Sequence, residues 1–196
     1  MKFILPIGLF LGCACSWAQS LPDTTYQVEV TTTACPMFNF FRDPRVPGTT
    51  SKTSVGYGVS MRLLWHPGRL FSVGLLSGYF DIAEDEISVA QPSNEPSYHA
   101  RLAAVPLLIA LTMQKYNIEL GMGVGPYLMM TTLQGGKSTS VHASRLELGM
   151  TFFGAYMFSL GNTIQLGPEL RVVSFRYRGI ISVMPSCSVR FTPLRY

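Results

Sequence analysis

Bulky apolar residues recur at every second position along most of the chain. From Val55 to Trp65 the odd positions hold Val55, Tyr57, Val59, Met61, Leu63 and Trp65, and the even ones Gly56, Gly58, Ser60, Arg62 and Leu64. From Ile118 to Met130 the same rhythm sets Ile118, Leu120, Met122, Val124, Pro126, Leu128 and Met130 against Glu119, Gly121, Gly123, Gly125, Tyr127 and Met129. Residues 146–160 repeat it, with Leu146, Leu148, Met150, Phe152, Tyr156 and Phe158 opposite Glu147, Gly149, Thr151, Phe153, Ala155 and Ser159. Period two predicts strand, because successive side chains point to opposite faces and glycines inside a helix are costly. Eight such segments can be drawn, at about 25–35, 54–65, 70–80, 98–113, 117–131, 144–160, 163–177 and 180–195.

The connectors alternate in length. Residues 36–53 and 81–97 read as long polar loops and 134–143 as a medium one, whereas 66–69, 114–117 and 161–162 read as tight turns. The connection at 176–179 is short although it falls at the long-loop end. The longest apolar run, Leu102 to Met113, contains Pro106 and is far below the roughly 20 residues a membrane-spanning helix needs. An even number of long strands, with long loops at one end and short turns at the other, is the layout of an outer-membrane barrel. The fold expected is all-β, a single eight-stranded antiparallel up-and-down transmembrane β-barrel.

A soluble lipocalin-like barrel would show the same alternation, so the charges decide. On the face opposite the large aliphatic residues lie Glu29, Arg62, Glu119, Arg145, Glu147, Glu169, Arg171 and Arg190. A soluble barrel needs an apolar cavity and a charged exterior, which is the reverse. The eight residues are expected to form an ion-pair network in the lumen, where carboxylate–guanidinium bonds are stronger than on a surface. An eight-stranded interior is filled by side chains, so a plugged lumen is expected. Aromatics are expected to form two girdles, with Trp65, Phe71, Tyr116, Phe158 and Phe191 at the short-turn end and Tyr57, Tyr79, Tyr98 and Phe175 at the other.

Composition agrees. Of 196 residues, 47% are hydrophobic and 13% charged, about half the roughly 25% charged share of a soluble domain. The first 18 residues read as a secretory signal peptide, with Lys2, an apolar stretch from Phe3 to Leu11, and Ser16-Trp17-Ala18 before the cleavage point. A lipoprotein signal acylated at Cys13 or Cys15 is the competing reading. The barrel domain would then be 19–196, in the outer membrane of a Gram-negative cell. Cys35 and Cys187 remain in it, either paired in an oxidising compartment or serving as small apolar residues.

Ala103-Ala104-Val105-Pro106-Leu107-Leu108-Ile109-Ala110, followed after a short turn by Gly121-Met122-Gly123-Val124-Gly125-Pro126-Tyr127-Leu128, resembles the outer-membrane β-barrel domain family of porin-like proteins. The resemblance implies a small barrel of the OmpX or OmpA-barrel type with a structural or adhesive role. It brings no catalytic or ligand residues. His142-Ala143-Ser144 is similar to the His-x-Ser base and nucleophile of an outer-membrane lipid A deacylase family, also an eight-stranded barrel. The following residue is Arg145 rather than that family's Asn, and no acid stands at its downstream offset.

Other motifs carry less. Gly121-x-Gly123-x-Gly125 lacks the helix a nucleotide loop requires, Gly135-Gly136-Lys137-Ser138 lacks the leading glycine of a phosphate loop, and His66, His99 and His142 have no ligand spacing. No cofactor, metal or nucleic acid is expected. The second loop is acidic through Asp81, Glu84, Asp85, Glu86 and Glu95. The other outer connections are basic through Arg42, Arg45, Lys52, Lys137, Arg176 and Arg178, which suits lipopolysaccharide phosphates. The role expected is that of a monomeric outer-membrane protein, structural, adhesive or binding an extracellular or envelope protein through its loops. The alternatives are a lipid-modifying hydrolase using His142 and Ser144, or an accessory to secretion or uptake.

Overall fold

The structure, a computed structural model, describes residues 26–40, 49–53, 55–67, 70–87, 98–134, 140–176 and 179–195. Residues 1–18 and the cleavage point lie outside the described residues. So do Arg42, Arg45, Glu95, Lys137 and Arg178.

Eight antiparallel staves close into a barrel. They are β1 (Gln27–Phe40), β2 (Val55–His66), β3 (Phe71–Ile87), β4 (Tyr98–Lys115), β5 (Ile118–Gln134), β6 (Ser140–Tyr156), β7 (Ile164–Phe175) and β8 (Ile181–Arg195). Short strands at Thr49–Thr53 and Phe158–Ser159 prolong β2 and β6. Each stave pairs with the next in sequence, and β8 returns to β1 with Thr31 opposite Arg190. No described helix is long and apolar enough to cross a membrane.

Side chains sort as the alternation requires. Along β2 the exposed residues are Val55, Tyr57, Val59, Met61, Leu63 and Trp65, while Ser60, Arg62, Leu64 and His66 are buried. On β5 the outward apolar row runs from Ile118 to Leu128. At about 3.3 Å per residue and a tilt near 40°, that row spans roughly 25 Å, the height of the lipid-facing band in such barrels. Tyr26 stacks on Trp65 at 6.3 Å, and Tyr156 meets Phe158 edge to face, both at the short-turn end. Phe175 departs from its expected girdle position. It is buried inside, edge to face with Tyr127 at 4.8 Å, because β7 turns its odd residues inward up to its last one.

Strand boundaries move most at the long-loop end. Alternation through Cys35, Met37 and Asn39 carries β1 to Phe40, past the end predicted for it. The acidic stretch through Ile87 is strand, not loop, paired with Tyr98–Ala103 and with Thr49–Thr53. The β1–β8 ladder is interrupted between Ala34 opposite Cys187 and Phe38 opposite Val183, the stretch that holds Pro36 and Pro185. The β4–β5 ladder is likewise interrupted beside Pro126. Proline has no N–H to give to a ladder. Cys35 faces inward and Cys187 is exposed, and both thiols are free.

Candidate functional site: the charged interior and the outer wall

The interior is charged toward the short-turn end. His66, on β2, places Nε2 2.8 Å from Glu29 Oε2 on β1, and the same oxygen lies 3.3 Å from Arg190 Nε on β8. Arg190 then contacts Glu119 of β5, whose other oxygen is 3.7 Å from Arg62 Nη1. Arg62 Nη2 donates to Glu169 Oε2 at 2.8 Å, and Glu169 Oε1 accepts from Arg171 Nη2 at 2.6 Å. Acid and base therefore alternate along one continuous chain drawn from five strands. All of these side chains are buried.

Hydroxyls and one side-chain amide add further hydrogen bonds. Ser188 donates to Glu169 at 2.7 Å, Arg171 Nη1 donates to Ser60 at 2.7 Å, and Arg190 Nη1 donates to Gln165 at 3.1 Å. The Phe153 ring centroid lies 4.0 Å from Arg62 Cζ, a buried cation–π contact. Glycines on the neighbouring strand make room for that ring, since a Cβ at Gly121 would stand 2.3 Å from Phe153 Cζ. Above the chain the filling becomes apolar, with Met37, Phe80, Tyr127, Val173, Phe175 and Met184 buried together.

Six of the eight charged residues assigned to the lumen from sequence thus meet in one buried chain: Glu29, Arg62, Glu119, Glu169, Arg171 and Arg190. Arg145 and Glu147 do not join it. They pair with each other higher on β6, where the Arg145 side chain is 68% exposed. Both keep the inward parity of β6, but at their level the strand has risen past the end of β7. His66 is a member the sequence reading passed over as a stray histidine. Its even position on β2, in step with Arg62 and Leu64, was the available signal.

The staves differ in height at the mouth. β3 to β6 and the Thr49–Thr53 strand continue beyond the lipid-facing band, whereas β7 ends at Phe175 and β8 starts at Ile181. The pairing of β6 with β7 begins only at Gly149 opposite Phe175. Leu148 still accepts a hydrogen bond from Arg176 N at 3.4 Å, so even residues of β6 aim their backbone groups toward the β7 side. By that parity His142 and Ser144 present backbone groups at an edge that no described strand pairs.

His142 and Ser144 also share the outward face of β6, just above the apolar band. The His142 ring nitrogen Nδ1 is 3.2 Å from Thr132 Oγ1. No group of three or more His, Cys, Asp or Glu that could hold a metal occurs among the described residues. A second outward cluster marks the same border. Arg101 binds the Asp81 carboxylate at 2.5 Å and the Tyr57 hydroxyl at 2.9 Å.

No protein-family model matches the chain, and no curated protein matches it in sequence. Solved structures match in fold. A major outer membrane protein from Thermus thermophilus is 11% identical, with a TM-score of 0.55, over 86% of this chain and 99% of that one. Neisserial surface protein A is 10% identical over 86% and 99%, with a TM-score of 0.49. Ail, the attachment invasion locus protein of Yersinia pestis, is 7% identical over 89% and 100%, also at 0.49. The architecture is that of a small outer-membrane β-barrel. The exposed aliphatic band and buried charges place its outer wall in lipid.

Proposed function

We propose that this outer-membrane barrel has a plugged lumen and acts at the cell surface, in a structural or adhesive role, by engaging a partner protein along its raised outer wall. The observation that carries this reading is the edge of β6 at His142 and Ser144, which no described strand pairs. An unpaired strand edge is a template for an extended segment of another chain, with main-chain hydrogen bonds giving affinity. Natural proteins cover or charge such edges unless they use them. The buried alternating chain supports the plug, because its members occupy the interior that ions would have to cross. Arg176, exposed at the mouth beside the end of β7, suits the phosphates of lipopolysaccharide.

Ser144→Pro tests the edge. It removes an edge N–H while leaving the β5 ladder, which uses the odd residues. Cross-linking from intact cells should lose the partner in Ser144→Pro and keep it in Ser144→Ala. Equal capture by both variants would remove the edge from the reading.

A lipid-modifying hydrolase is the second reading. Its one favourable observation is that His142 and Ser144 face outward together at the lipid border.

A further inference from the structure

We propose that a groove on the lipid-facing wall over Gly154 binds one anionic phospholipid of the periplasmic leaflet. The outward row of β6 is Met150, Phe152, Gly154 and Tyr156, so a glycine interrupts a series of bulky side chains. Its register partners on either side are Leu120 and Leu170, and Leu170 faces Pro185 on β8. Ile118, Tyr156 and Pro168 complete a depression of about 470 Å³. That volume falls within the roughly 300–1,000 Å³ of small-molecule sites.

The glycine is not demanded by the backbone. A Cβ there would meet Leu120 Cδ2 at 3.3 Å and the Glu119 carbonyl oxygen at 3.9 Å, a contact that a leucine tip can yield to. Gly74 and Gly167 are different, since a Cβ at either would strike a carbonyl oxygen at 1.8 Å. The missing side chain at Gly154 therefore creates the groove without being required for strand packing.

Location and charge name the occupant. The groove lies within the apolar band close to the short-turn end, the periplasmic side of such barrels, where the molecules at hand are phospholipids. Lys115, the last residue of β4, is exposed and is the register partner of Ile118 at the foot of the groove. Its Nζ lies 5.5 Å from the Tyr116 ring centroid, at the level where headgroups meet hydrocarbon. Two residues of strand separate Ile118 from Leu120, about 7 Å. One lipid can thus lay an acyl chain over Gly154 with its phosphate against the Lys115 ammonium. Charge complementarity favours an anionic headgroup, and the long stem of lysine reaches the interface without burying its charge.

Native mass spectrometry of the full mature protein, released from micelles holding equal phosphatidylglycerol and phosphatidylcholine, tests this. The expected result is a single phosphatidylglycerol adduct, at least ten-fold depleted in Gly154→Leu. Lys115→Gln, outside the groove, should erase the preference for phosphatidylglycerol over phosphatidylcholine. Heat-modifiable gel mobility of both variants reports that the barrel is intact. An unselective ladder of adducts, or a wild-type adduct retained in Gly154→Leu, would overturn the proposal. A dimer lost in Gly154→Leu would overturn it in favour of self-association.

Discussion

Arg62 lies over the ring of Phe153 while holding Glu169 at 2.8 Å, so one guanidinium serves at once as cation for a π face and as the link between two carboxylates. Its replacement tests the whole chain. Removing one partner of a buried pair leaves an uncompensated charge and costs on the order of 3–5 kcal/mol. Arg62→Met should lower stability by about that amount in urea unfolding from lipid vesicles. Adding Glu119→Leu should recover part of the loss, since the charges are then removed together. Additive losses would mean that Arg62 and Glu119 are not coupled.

Gly121 separates interior crowding from exterior tolerance. A methyl there would overlap the Phe153 ring and Thr112 Cγ2, and overpacking of this kind costs about 1–3 kcal/mol. Gly121→Ala should therefore destabilise the barrel, and Phe153→Leu in the same chain should relieve the clash. The check is a double-mutant comparison by urea unfolding, with a coupling of opposite sign to the single effects.

The lipid-facing band can be mapped by depth. Val124 is 53% exposed at mid-height on β5, and Ser144 is exposed above the band on β6. Val124→Arg should cost roughly 2–4 kcal/mol and Ser144→Arg between about 0 and 1. Equal costs at the two positions would mean that the outward row is not in lipid.

Conductance addresses the lumen. Arg62, Arg171 and Arg190 are essentially inaccessible to solvent. Purified protein in planar bilayers should give no stable ion-sized openings. Steady channels would show that the chain opens.

The hydrolase reading predicts altered lipid A. His142 already bonds Thr132 through one ring nitrogen, and no carboxylate among the described residues orients the other. Catalysis by a serine needs its histidine held by a third group. Cells overexpressing the wild type and Ser144→Ala should therefore carry the same lipid A acyl chains, and a deacylated species confined to the wild type would reinstate the enzyme.

Much of this was legible because period two is a local rule. Arg62, Glu119 and Glu169 could be placed inside from their parity alone. Which acid meets which arginine could not, since Glu119 and Arg190 come together through the closure of the barrel rather than through sequence. Arg145 shows the limit of parity, which fixes the face of a strand but not its height relative to the neighbouring stave. The stretch through Ile87 was read as loop because acidic residues are depleted in strands, and its pairing with Tyr98–Ala103 and Thr49–Thr53 overrode that preference. His66 looked isolated because its partner Glu29 lies on a different strand.

The alternating chain also constrains how the barrel assembles. Glu29 sits on the first strand and Arg190 on the last, and Arg190 is the cation that bridges Glu29 and Glu119. Until β8 arrives, both carboxylates lack that guanidinium, and the three carboxylates of the chain have only Arg62 and Arg171 as guanidinium partners. The third guanidinium, which matches the three carboxylates in number, is therefore supplied only at closure. Intermediates missing the final strand should therefore enter the bilayer less readily than the closed barrel.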